Sequence, residues 1–412
     1  MIAVANIKIG NQLIGVVFWD ELQNLGLLEI DKNYLKHNQN LAPIIMPISE
    51  LEIGKLVFSF PELNSETFRG LPGLLSESLS NGFAVKILEN YIEIQNKSNF
   101  SPVDALCFIA DNGIGALEFE SFDKKIDLKS NTIEIQDLID FINHNEESDF
   151  KNSKFNVDFY KITSICKGKN PKAVLSYNNE IKEFCIGKKN HFDEYVLKFG
   201  IPNDTFSNQI KIEYAYYLMA LDCGITISET QLLSKNNVNY LVTKRFDRLK
   251  NQKIHFQTLC SLAHFDASNS GYYSYEQAFE ILRQLKLPNS DAEQLFRRMV
   301  FNVIARNQND TTEKIGFLML PNGKWQLAPA FGLNYENDTV YEKHQMSINQ
   351  KTKNIFLEDL LIVAKNCNIK KPKKIIECCN EILFNWDEYA KKAGLASAKI
   401  IEIERELLII DL

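Results

Sequence analysis

Apolar and polar residues alternate through positions 3–9 and again through 13–18, with Gly10-Asn11 between the two runs. Alternation sends every second side chain to one face, and Gly-Asn permits a tight reversal, so the chain is expected to open with a β-hairpin. The period changes over residues 66–95, where a turn is followed by helical spacing that puts Leu74, Leu75, Leu79, Phe83 and Ile87 near one face. The stretch SPVDALCFIADNGIGALEFE (101–120) carries short apolar runs split by Gly113 and Gly115, which predicts a helix first and a strand after it.

The segment HNEESDFKNSKFN (144–156) is polar and has no period. It reads as a linker or long loop, and a domain boundary is expected near residue 150. Beyond it, residues 173–177, 181–186 and 194–199 predict three short strands. A helix follows over about 208–223, with Ile212, Ala215, Tyr216, Met219 and Ala220 on one side, and then two more strands at 231–233 and 240–246. A small sheet interrupted by one helix is the arrangement of a kinase N-lobe. From about residue 275 onward helical patterns dominate, as in YEQAFEILRQL, SDAEQLFRRMVFNVIAR and KKIIECCNEILFNWDEYAKKA.

Composition narrows the function. With 412 residues, 45% hydrophobic and 24% charged, the chain is ordinarily globular and long enough for two or three domains. A net charge of −7 deprives it of the basic field that gives non-specific affinity for nucleic acid. The lysine clusters at 167–172 and 370–374 read as solvated faces, with a local basic patch as the other reading. The eight cysteines form no CxxC pair, which implies reduced thiols in a cytoplasmic protein, and the six scattered histidines suggest no zinc site. The N-terminus lacks the pattern of a secretory signal, and no run of about 18 apolar residues predicts a membrane span.

Several segments, in order, resemble the long form of the HipA family, kinase-fold toxins of bacterial toxin-antitoxin pairs. They are FSFPELNSETFRGLPGLLSESL (58–79), DNGIGALEFE (111–120), PKAVLS (171–176), YVLKFG (195–200), IEYAYYLMALDCGI (212–225), TKRFDR (243–248), IHFQTLCSLAHFD (254–266), FRRMVFNVIARNQ (296–308) and LAPAF (327–331). The resemblance implies an α+β, protein-kinase-like bilobal fold in three parts. These are a β-rich N-terminal subdomain over 1–150, a small-sheet N-lobe over 151–250 and a helical C-lobe over 251–412.

Phosphoryl transfer needs a nucleotide cradle, a metal that neutralises phosphate charge, and a carboxylate that orients the attacking hydroxyl. By resemblance Lys198 in YVLKFG would reach the phosphates with Glu213 as its acidic partner. Phe246 would flank adenine at the connection between lobes, though it reads equally well as a core aromatic. The phosphate loop is expected at TSICKGKNPKA (163–173), where relatives carry a serine and two glycines before Pro-Lys. Here the serine position holds Ile165 and the first glycine position Lys167, leaving Gly168 and Lys172 of the expected cradle.

The catalytic segment of relatives, approximately Asn-x-Asp-Asp-His-x-Lys-Asn, reads NQNDTTEK at 307–314. The base position is therefore the amide Asn309, which accepts no proton near neutral pH, and the metal-binding amide has become the ammonium of Lys314. The second metal ligand, an Asp after the Leu-Ala-Pro motif, matches Gly332. Asp310 is no substitute, because a one-residue shift puts Ile315 at the metal position, and Glu336 and Asp338 would need a rearranged loop to serve. The resemblance thus implies a pseudokinase with no intact metal site. Its partner would be a helix-turn-helix antitoxin or a related kinase, with no direct nucleic-acid or membrane contact. An active Ser/Thr kinase toxin with a non-standard site is the alternative. ATP stays open as a ligand, with or without turnover, while Mg²⁺ has lost its ligands.

Overall fold

The computed structural model describes residues 3–37, 39–95, 99–121, 131–144, 157–200, 205–235, 238–250, 252–336 and 343–411. The expected linker at 144–156 falls almost wholly outside them. The chain divides into two compact units, Met1–Pro202 with Leu233–Phe256, and Asn203–Leu232 with Gln257–Leu412.

Among the described residues the first unit is built on two larger sheets, with a two-stranded ribbon of Arg248–Leu249 and Gln252–Lys253 beside them. The opening hairpin pairs Val4–Ile9 with Gln12–Asp20 around Gly10-Asn11, and Leu25–Ile30, Val57–Phe58 and Glu118–Ser121 complete a five-stranded sheet. Its alternation buries Ala5, Ile7, Ile14, Val17 and Leu28. The helical period over 66–95 is broken into Ser65–Phe68, Gly73–Ser76 and Phe83–Ile94. Leu74, Leu75, Leu79 and Ile87 are buried as expected, whereas Phe83 is half-exposed, because the last helix starts afresh after Gly82 at φ +62°. Residues 101–120 form the expected helix, Pro102–Ile109, which starts at a capping box in which Ser101 and Asp104 satisfy each other's backbone amides.

The second sheet has six strands in the order Thr230–Lys235, Val238–Lys244, Asp193–Phe199, Lys172–Asn178, Glu183–Ile186 and Asn131–Ile133. Five of them follow the predicted apolar runs. The sixth, at the edge, comes from before residue 150, and its short exposed stretch gave no periodic signal.

The second unit is mainly helical. The helix Thr205–Asp222 buries Ile212, Ala215, Tyr216, Met219 and Ala220. Tyr275–Gln284, Asn289–Ile304, Leu357–Asn366, Pro372–Phe384, Trp386–Lys392 and Ser397–Glu404 follow the predicted helical stretches. The run at 372–392 is split at Asn385, and the second piece buries Trp386 against Tyr216 with ring centroids 5.9 Å apart. Among the described residues no helix is long and apolar enough to cross a membrane. All eight cysteines are free, and of the adjacent pair only Cys379 is buried.

Candidate functional site

In the first unit the expected phosphate loop is committed to its own chain. The Gly168 amide donates to Asn81 Oδ1 at 2.6 Å, and the Gly168 carbonyl accepts from the Phe83 amide at 3.1 Å. Lys167 Nζ pairs with the buried carboxylate of Glu77 at 2.9 Å. Lys172 Nζ donates back to the carbonyl of Lys167 at 2.8 Å, across the loop. Gly82 makes this closeness feasible, since a Cβ there would lie 2.5 Å from the Gly168 carbonyl oxygen. Gly168 itself adopts φ +116°, a conformation that favours glycine. Ile165, at the lost serine position, is buried in a small apolar cluster with Cys166 and Val174. Ser164 donates to the Lys161 carbonyl and is buried.

Lys198 lies on Asp193–Phe199 directly opposite Lys172 on the paired strand. Glu213 is half-buried on the helix Thr205–Asp222 of the second unit. Phe246 is half-buried and tilted against Phe256, with centroids 5.3 Å apart.

The charged residues around Phe246 are tied up in a latch that the sequence did not announce. Arg245 grips Asp247 through two bonds of 3.0 and 2.7 Å and donates to the Gly113 carbonyl at 2.8 Å. Arg248 bonds Asp247 at 2.8 Å, Glu194 at 3.1 Å and the Gly115 carbonyl at 3.0 Å, while the Gly115 amide donates to Asp247 at 2.7 Å. Burial opposes charge on Asp247, but Arg245 and Arg248 outweigh it and hold its carboxyl down at about 2. Burial likewise opposes the Arg245 charge, and Asp247 with Glu194 more than compensates.

In the second unit the segment 307–314 follows the helix Asn289–Ile304 and is held by a polar network. Asp310 is the hub. Its Oδ2 accepts from Tyr275 Oη at 2.9 Å and lies 2.8 Å from His344 Nδ1, while Oδ1 accepts from the Gln345 amide at 2.7 Å. With its side chain 1% exposed, this carboxylate is enclosed by donors. Burial and the Asp310 charge push the Tyr275 phenol well above its ordinary value, so it stays protonated as a donor. Asn302 bridges Tyr275 and Asn307, with bonds of 2.9 and 2.8 Å, and the Asn334 amide points at Asn307 Oδ1.

Asn309 donates its amide to Glu336 Oε1 at 3.0 Å, which sets a carboxylate beside the expected base position, whereas the sequence expectation for Glu336 concerned the metal position at Gly332. Asp338 lies outside the described residues. Lys314 and Gly332 are neighbours. Gly332 adopts φ +67°, and a Cβ built on it would meet Lys314 Cδ at 3.3 Å and Nζ at 3.4 Å. An ammonium and a bare glycine offer no side-chain oxygen to Mg²⁺, a hard cation that demands octahedral oxygen ligation, so these two side-chain positions do not fit the metal. Among the described residues no group of three or more His, Cys, Asp or Glu could hold a metal ion.

A sheet-bearing unit and a helical unit, with strand lysine, helix glutamate and post-helix polar segment in that order, define a protein-kinase-like α+β fold. Comparison with known proteins makes this specific. The HipA-like C-terminal domain model matches residues 164–407 and the HipA N-terminal domain model residues 5–120, and the chain belongs to the HipA family. HipA of Shewanella oneidensis MR-1, solved in complex with HipB and its operator DNA, has the same fold. It matches at a TM-score of 0.72 and 16% identity over 98% of this chain and 96% of that one. The Helicobacter pylori proinflammatory kinase CtkA matches 54% of this chain and 92% of its own at 17% identity, with a TM-score of 0.33 too low to compare sites. No curated protein matches significantly.

Proposed function

We propose that this HipA-family protein is a pseudokinase of a toxin-antitoxin type system, acting in the cytoplasm by binding a protein partner, with weak or absent phosphotransfer. The observation that carries this reading is the fate of the carboxylates in 307–314. The base position is the amide Asn309, and the adjacent acid, Asp310, is enclosed by Tyr275, His344 and the Gln345 amide. Base and metal act as one unit in stabilising the transition state, so the loss of either is enough to remove most of the catalysis. The partner is a helix-turn-helix antitoxin or a related kinase. The Shewanella relative was solved with HipB and DNA, and a chain of net charge −7 suits a basic DNA-binding partner better than DNA itself.

The test has two arms. Recovery from its native cell should yield a partner at stoichiometric level, and purified protein with ATP and Mg²⁺ should pass no radiolabel to protein serine or threonine. Transfer at roughly 1–100 per second, the ordinary range for kinases, would overturn the pseudokinase reading.

One observation favours the second reading, an active kinase with a non-standard site. Glu336 places a carboxylate 3.0 Å from the Asn309 amide, close to where the base would act. Under that reading Glu336→Gln abolishes growth arrest and any residual transfer. Under the pseudokinase reading it leaves partner recovery unchanged.

A further inference from the structure

The helical unit contains a small cavity beside the degenerate metal positions, lined by Arg298, Asn307, Asp310, Thr311 and Lys314 among others. Its polar groups are out of balance. Its carboxylate and side-chain amide oxygens are engaged, since both oxygens of Asp310 have partners, Asn302 accepts from Asn307, and Asn307 Oδ1 faces the Asn334 amide. The cations are not matched in this way. Arg298 is 5% exposed and donates only from Nη2, to the Ala328 carbonyl at 2.7 Å, leaving Nε and Nη1 buried without a partner. The Lys314 backbone amide donates to the Thr311 carbonyl at 2.8 Å, but its ammonium makes no hydrogen bond or ion pair among the described residues.

Unsatisfied buried donors on a guanidinium are costly, and native proteins rarely leave them without protein, water or ion. The surplus here is of donors and of positive charge, and what resolves it is an acceptor carrying negative charge. The cavity measures about 20 Å³, more than one water requires and far less than a nucleotide. It suits a single anionic oxygen.

Lys314 also has room that an ordinary side chain at position 332 would deny it. Any Cβ at 332 would crowd its end, so glycine and lysine form a matched pair. In phosphoryl-transfer sites a divalent cation does the work of neutralising phosphate oxygens. An ammonium and a guanidinium can do it without metal.

We infer that Arg298 and Lys314 form a metal-independent site for a phosphoryl oxygen, supplied by inorganic phosphate or by the terminal phosphate of a nucleotide. The inference shares with the pseudokinase reading only the loss of the metal positions. Partner recovery is measured separately, so failure of one does not carry the other.

The test is a titration of the full chain, by calorimetry and thermal shift, in acetate buffer with EDTA. Inorganic phosphate and ATP are the two probes, and sodium chloride is the control. Phosphate should bind and raise the melting temperature in proportion to occupancy. Lys314→Met should weaken binding at least tenfold, and Lys314→Arg, which keeps the charge, should restore most of it. Binding of ATP but not of phosphate would support the site and assign the oxygen to a nucleotide. No binding of either probe, binding unchanged in Lys314→Met, or chloride binding as tight as phosphate would overturn the proposal. Because Lys314 is half-exposed, its variants test the site without disturbing the buried Arg298.

Discussion

Two buried arginine sites in this molecule are built on opposite plans. In the sheet-bearing unit Arg245 and Arg248 face Asp247 and Glu194, and their guanidinium bonds are met by carboxylates and main-chain carbonyls. In the helical unit Arg298 has one carbonyl, and burial lowers its pKa to about 10 with only Asp291 opposing. The first plan fastens distant segments together. The second keeps charge available, at a cost in stability that packing elsewhere must offset.

The contrast can be broken most forcefully at Asp247. Asp247→Asn leaves two buried guanidinium groups facing Glu194 alone and should cost about 3–5 kcal/mol, as measured by denaturant melts. An effect below about 1 kcal/mol would show that the latch is not a structural device.

His255 offers a second, reversible probe of the same unit. It is buried against the Leu41 carbonyl at 3.1 Å, and burial lowers its pKa to about 4. A histidine whose folded pKa is depressed contributes fully above its unfolded value near 6.5. That contribution is lost as pH falls toward 4, because the unfolded chain then binds the extra proton. The loss should approach about 3 kcal/mol, at about 1.4 kcal/mol per pH unit. His255→Gln should flatten the stability curve between pH 6.5 and 4, and an unchanged slope would remove His255 as its source.

The smaller effects belong to the helical unit. Gly332→Ala should cost about 1 kcal/mol, since alanine must adopt a left-handed conformation there and press on Lys314. Arg298→Met, which removes a buried charge with no carboxylate hydrogen-bonded to it, should shift stability by less than about 1 kcal/mol in phosphate-free buffer. Arg245→Met, the same substitution in the other plan, should destabilise by about 3 kcal/mol. Equal effects of the two methionine variants would erase the distinction between them.

Much of the fold was legible because its signals are local. The Gly10-Asn11 hairpin, the strands at 172–199 and the helix Thr205–Asp222 each announce themselves through spacing within one element. The assignment of Asn309, Lys314 and Gly332 to substituted positions rests on their order in the chain. What escaped was contact at long separation. Nothing in RFDR predicts that its charges reach the carbonyls of Gly113 and Gly115, over 130 positions away. Glu336 was set aside because sequence cannot show how the chain returns after Gly332. The strand Asn131–Ile133 is too short and too exposed to give a period.

The amide of Gly168 exchanges its hydrogen only when it lets go of Asn81, a side chain 87 positions earlier. Its isotope-exchange rate is thus a clock for the lifting of the segment around residues 77–83, readable at a single backbone position. Whatever partner or ligand claims that loop must first wait on this clock, so slowed or quickened exchange there would report an encounter occurring elsewhere in the sheet-bearing unit.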